Sequence, residues 1–185
     1  FCASSKTSIH NHVFLEGIKA ALIADKSWNK GNYKKQPIQG LKAFGRVYAG
    51  WAFSQNFYRE KLYKKLGYKN SEELLNDWAQ DHAKNWDANN LLSKLKTWQL
   101  NDISKGPIYN NNYVKALKSI KARTILMPCN QDLYFRTEDN EFEKKFIPHS
   151  SIRPIDSSFG HCAANPGNDK NFEKELDKNI RELLN

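Results

Sequence analysis

The stretch Thr124-Ile125-Leu126-Met127-Pro128-Cys129-Asn130-Gln131-Asp132 is an apolar run that ends in a polar segment and an acid. A short run of this kind after Arg123 reads as a buried strand, Thr124 to Pro128, with Asp132 just past its C-terminal end. Downstream the pattern returns. Ser151 to Ile155 reads as a second strand, and Ser158-Phe159-Gly160-His161-Cys162 follows it as a loop. Between them Thr137 to Phe146 has a helical layout, and Asp169 to Leu184 forms a terminal helix. Strands alternating with helices predict parallel strands joined by crossover helices, which place functional groups at the strands' C-terminal ends. An acid after one strand and a Gly-His after the next is a pairing in which a carboxylate orients an imidazole and stabilises its cation.

The residues before Arg123 have another character. His10 to Asp25 carries Val13, Phe14, Ile18, Ala21 and Leu22 near helical spacing. Trp28 to Gln39, with Gly31 and Pro37, reads as a loop. Leu41, Phe44, Val47, Tyr48, Trp51, Phe53 and Phe57 predict one mostly buried helix from Leu41 to Tyr58. Ser71 is the expected cap of a helix reaching Trp86, with Glu72 and Glu73 favoured by the helix dipole. Asp87 caps the next, on the stripe Leu91, Leu92, Leu95 and Trp98. Tyr113 to Ile120 is a short helix. Phe1 to Ser4 reads as a strand end. The expected organisation is residues 1–8 as the end of a core strand, 9–118 as a helical region, and 119–185 as alternating β/α structure.

A chain of 185 residues with 39% hydrophobic and 12% aromatic residues can bury a real core. No apolar run reaches the roughly 20 residues of a membrane-spanning helix, so no membrane partner is expected. The formal charge of +9 comes from lysines dispersed among acids, without a basic block, which argues for a solvated surface over a nucleic-acid site. The 3 cysteines, Cys2, Cys129 and Cys162, lack metal or redox spacing, and so sparse a count favours a reducing, cytoplasmic setting.

His161 follows Gly160, which permits a tight turn, and is flanked by small residues that leave an imidazole room to act. Its chemistry would be general base and then general acid. Beside it, Cys162 is a pocket-lining side chain rather than a nucleophile, since adjacent side chains seldom align for base-assisted attack. His10-Asn11-His12 has no third ligand nearby and carries no metal site. Trp51, Trp78, Trp86 and Trp98 read as core. No Gly-x-Ser-x-Gly occurs.

Taken together, these residues resemble the homoserine O-acetyltransferase-like branch of the α/β-hydrolases. The resemblance is carried by Asn11 to Gly17, Ala24 to Trp28, Gly31 and Tyr33, Gly40-Leu41 with Ala43 and Arg46, and Trp86 to Leu91. Asp132-Leu133-Tyr134-Phe135 and Gly160-His161 complete it. It implies an α/β fold, the C-terminal part of an α/β-hydrolase with an inserted helical lid, in which Phe1 lies in or just after the sixth strand. The nucleophilic serine and the oxyanion hole would then sit in an N-terminal portion upstream of Phe1.

The implied roles are Asp132 as the acid and His161 as the base, with Arg46 and Cys162 at the substrate. The implied mechanism passes an acyl group from acetyl-CoA, a co-substrate and not a bound cofactor, through the serine to a small hydroxyl acceptor. Relatives suggest a homodimer. Members that use homoserine carry an Asp after the histidine and an Arg before Phe-Asp. Here those positions are Cys162 and Asn85, which leaves the acceptor open. The alternatives are an esterase with water as acceptor and, from another class, a non-catalytic helical interaction module.

Overall fold

The computed structural model describes residues 1–165 and 167–185. Its α-helices are α1 (Ile9–Ile23), α2 (Ile38–Ala52), α3 (Gln55–Arg59), α4 (Ser71–Asn85), α5 (Ala88–Leu100), α6 (Tyr113–Lys118), α7 (Thr137–Lys144) and α8 (Lys170–Leu184). Two strands, β1 (Thr124–Leu126) and β2 (Ser150–Ile152), and short 3-10 turns complete the described elements. The chain forms two compact units. One comprises Phe1–Lys6, Ala52–Phe57 and Asp102–Asn185, and the other Thr7–Trp51 and Tyr58–Asn101.

The first unit holds the sheet. β1 and β2 pair in parallel, Thr124 with Ser150, Ile125 with Ser151 and Leu126 with Ile152. Parallel neighbours need a crossover, and α7 supplies it. The pairing runs past the strand ends: the Ile155 amide donates to the Pro128 carbonyl at 2.9 Å and the Asn130 amide to the Ile155 carbonyl at 2.9 Å. This extension carries Asp132 and the Ser157–His161 segment to the same C-terminal end. Residues 1–4 run as irregular backbone, with Cys2 at φ +47° and its amide donating to the Met127 carbonyl at 3.1 Å. α8 is capped by Asp169, whose carboxylate accepts the Asn171 and Phe172 amides.

The second unit is helical. α1 packs on α5, and aromatic rings fill much of the interior: Phe14 lies 4.5 Å from Trp51, and Phe44 5.7 Å from Tyr48. Three of the segments that carry the family resemblance meet here and tie the unit together. Asp87 caps α5 through the Asn90 amide at 2.9 Å, and its other carboxylate oxygen accepts the Tyr33 hydroxyl at 2.6 Å. Asn89 donates to the Gly31 carbonyl at 3.0 Å and accepts from the Trp28 indole at 3.1 Å. The Asp25 carboxylate receives the Ser27 and Gly40 amides at 2.8 and 3.0 Å. A Cβ on Gly40 would lie 2.3 Å from the Leu22 carbonyl oxygen, so this helix contact requires glycine.

Besides the expected strand end at Phe1 to Ser4, two expectations among the helices change. The cap of α4 is Asn70, whose side chain accepts the Glu73 amide at 2.9 Å, and Ser71 is the first helical residue. Both residue types cap well, and Asn70 alone takes the extended backbone that a cap needs. The helix expected from Leu41 to Tyr58 is broken after Ala52. The Ser54 hydroxyl accepts the Phe57 amide at 3.0 Å and starts α3 afresh.

Candidate active site

Asp132 is fully buried, yet both of its carboxylate oxygens are satisfied. Oδ1 accepts the backbone amides of Tyr134 at 2.7 Å and Phe135 at 3.2 Å. This short turn is what an Asp at a strand's end forms with the residues two and three ahead of it. Oδ2 faces Nδ1 of His161 at 2.9 Å. A buried carboxylate held by three donors has no freedom to turn away from the ring.

His161 presents a side chain 31% exposed, against none for its carboxylate partner. Tyr134, itself 1% exposed, meets the ring edge-on at 4.9 Å, and Phe135 lies 5.4 Å away. The imidazole is thus anchored at Nδ1, walled by two aromatic rings, and left with Nε2 for chemistry. Nδ1 donates to the carboxylate, so Nε2 carries the lone pair in the neutral ring.

The loop that carries the histidine has little freedom. Gly160 sits at φ +61°, and a Cβ there would lie 2.7 Å from the Ser54 amide nitrogen and 3.3 Å from the Ala52 carbonyl oxygen. No other residue fits both the conformation and the space. Ser157 donates its hydroxyl to Asp169 and accepts the Phe159 amide at 3.3 Å, and its carbonyl accepts the Cys129 thiol at 3.4 Å.

Of the residues singled out in the sequence, Asp132 and His161 come together. Cys162 is 4% exposed, and burial, with the Asp132 charge as a second cause, pushes its thiol up to about 12. It is therefore neutral near pH 7, neither a nucleophile nor a counter-charge for an ammonium group. Arg46 lies in the helical unit, where its guanidinium donates to Glu72 at 2.8 Å and to Asn76 at 2.9 Å. His10 packs on Trp51 at 5.2 Å, and no group of three or more His, Cys, Asp or Glu among the described residues could hold a metal ion. Sequence reasoning missed Ser54 and Ser157, since nothing in the spacing of a lone serine signals a contact with a distant loop. Among the described residues no helix is long and apolar enough to cross a membrane.

No family model matches the sequence. Among curated proteins, the ethyl acetate hydrolase of Pseudomonas veronii is 30% identical over 183 residues, which are 98% of this chain and 52% of that protein. The solved structure of the acetyl esterase MekB matches with a TM-score of 0.93 at 29% identity, covering 99% of this chain and 53% of that one. Homoserine O-acetyltransferase from Bacillus anthracis matches with a TM-score of 0.82 at 25% identity, covering 100% of this chain and 52% of that one. The chain spans about half the length of these relatives. Its homologues include acetyl esterases and homoserine O-acetyltransferases, its structural neighbours are α/β-hydrolases, and it matches the C-terminal part of those proteins.

Proposed function

We propose that these residues supply the acid and base of a serine-dependent esterase that cleaves small acyl esters through an acyl-enzyme resolved by water. The observation that carries this reading is the 2.9 Å contact between Asp132 and His161 Nδ1, made by a carboxylate that is buried and locked by two backbone amides. In this role Asp132 holds the Nδ1–H tautomer and stabilises the imidazolium. Nε2 takes the proton of the attacking serine and returns it to the leaving alcohol, then repeats both steps with water. The serine belongs to an N-terminal portion of the polypeptide outside these residues. The reading requires no metal or bound cofactor.

Water is favoured over a homoserine-type acceptor by Cys162. Its neutral thiol occupies the position after the histidine, where a carboxylate would meet an acceptor's ammonium. The similarity to an ethyl acetate hydrolase and an acetyl esterase supports the same choice. A second reading, acyl transfer from acetyl-CoA to a small hydroxyl acceptor, rests on the likeness to homoserine O-acetyltransferase.

The test is acetate release from p-nitrophenyl acetate and ethyl acetate by the full-length protein and its His161→Ala variant. The parent should release acetate with no added acceptor, and the variant should lose at least about 10³-fold in kcat. Release that needs an added alcohol selects the transferase. A variant as active as the parent leaves only a non-catalytic module.

A further inference from the structure

The apolar positions Trp51, Phe53 and Phe57 run on through the break between α2 and α3, and its local signal is Ser54, which caps α3 through the Phe57 amide. Glycine and proline, the usual helix breakers, are absent from residues 52–57. What the interruption achieves is a set of contacts with the loop that carries His161, made by this short segment of the same compact unit.

Three consecutive loop residues are held. The Ser158 carbonyl accepts the Ser54 hydroxyl at 2.6 Å. The Phe159 ring meets Phe57 edge-on at 5.5 Å, and Phe57 in turn stacks on Phe53 at 4.0 Å. Gly160 lies against the backbone of residues 52–54 so closely that a Cβ would collide with the Ser54 amide nitrogen at 2.7 Å. Ser54 is 2% exposed and uses its hydroxyl in both directions, accepting from the Phe57 amide and donating to Ser158. The next residue in the chain after these three is His161.

We propose that Ser54 is a positioning residue for His161. Its hydroxyl fixes the Ser158 carbonyl and so sets the direction in which the Gly160 turn delivers the imidazole. This inference rests on the reading of His161 as the base. The Asp132 side of the pair is already rigid, being locked by the Tyr134 and Phe135 amides. The alignment of the pair therefore depends on the histidine side, and Ser54 is the side-chain hydrogen bond that holds its loop to residues 52–57. Without the hydroxyl, the part-buried Ser158 carbonyl loses its side-chain donor, and the loop is free to shift towards another. A displaced ring at the end of that loop loses linear contact with Oδ2, and the proton on Nδ1 is stabilised less well.

The experiment compares Ser54→Ala, Ser54→Thr and His161→Ala in the full-length protein, reading kcat, KM, melting temperature and the pH dependence of kcat/KM. Ser54→Ala should lower kcat by about 10-fold with KM within about twofold. It should also move the apparent pKa of the acid limb, because that limb reports the imidazole's contact with Asp132. Ser54→Thr, which keeps the hydroxyl, should restore most of the rate and the parent's pH profile. If Ser54→Ala does not fold, Ser54→Cys, close in volume but a weak donor, takes its place with the same expectations.

A folded variant with kcat within about twofold of the parent overturns the proposal. So does a lower kcat with an unmoved pH profile, since a purely structural loss of active molecules produces that result. His161→Ala separates the two levels of the argument. If it leaves activity intact, the esterase reading itself fails. If it abolishes activity while Ser54→Ala changes nothing, only the positioning role fails.

Discussion

The two backbone amides that hold Oδ1 of Asp132 decide what an amide side chain in its place would do. In Asp132→Asn the side-chain oxygen is drawn to the Tyr134 and Phe135 amides, which need an acceptor. The NH₂ group then faces Nδ1 of His161, and two donors cannot share one hydrogen bond. The imidazole must turn Nδ1 into an acceptor and carry its proton on Nε2, where it cannot receive one from a serine. Asp132→Asn should therefore fold like the parent and lose about 10⁴-fold in kcat, as measured with p-nitrophenyl acetate against a matched melting curve. A loss below about tenfold would remove Asp132 from the mechanism. This acid and the histidine were both legible in the sequence, because each follows an apolar run that ends in turn-forming residues. The rings of Tyr134 and Phe135 were legible only as part of a motif, since their contact with His161 joins two loops far apart in the chain.

Among the elements, α2 approaches α4 closely at Gly45. A Cβ there would lie 2.5 Å from the Trp78 carbonyl oxygen and 2.8 Å from Nδ1 of His82. His82 is 7% exposed, donates Nδ1–H to the Trp78 carbonyl at 2.8 Å, and lies within 5.3 to 6.3 Å of the rings of Phe44, Tyr48, Trp78 and Trp86. Burial holds its pKa below the ordinary 6.5, against the weaker opposing pulls of the Trp78 carbonyl and the Asp81 carboxylate 3.9 Å away. From α5, Lys94 lines the same small cavity and lies over the Trp86 ring at 4.0 Å, and α2 presents only Phe44 and Tyr48 there.

A histidine with a depressed folded pKa binds its proton more readily in the unfolded chain. Stability is then complete above about pH 6.5 and falls as pH drops through that value towards the folded pKa. His82→Phe, which keeps an aromatic ring in the cage, should flatten the decline in melting temperature as pH falls below about 6.5. An unchanged acid limb in the variant would assign that decline to other groups. Element boundaries were read less well than elements. Asn70 and Ser71 both have the chemistry of a cap, and only the observed backbone separates them. The interruption at Ser54 was hidden because no glycine or proline marks it and a lone serine cap is a weak signal inside an apolar run.

For the molecule as a whole, the parallel sheet and its crossover were legible because hydrophobic runs and helical periods alternate after Arg123. The division into compact units was less so. Residues 52–57 leave a helical sequence to join the sheet-bearing unit, and composition does not mark a transfer of that kind. The same division bears on where the nucleophile lies. Within the sheet-bearing unit, Ser54 spends its hydroxyl on Ser158 and Phe57, and Ser157 spends its own on Asp169 and Phe159. The side-chain hydrogen bond that His161 makes among the described residues goes to Asp132. In the proposed esterase reading, Nε2 of this pair takes its proton from a serine outside these residues.

A serine-directed fluorophosphonate tests this directly. On the full-length protein it should label one serine outside residues 1–185, and peptide mapping by mass spectrometry should place the adduct there. Labelling should be much slower in Asp132→Asn, because the same imidazole must take the serine's proton during phosphonylation. An adduct on Ser54, Ser157 or Ser158 would mean that one of these side chains leaves its present partners to act, and the assignment of the nucleophile to another segment would be lost.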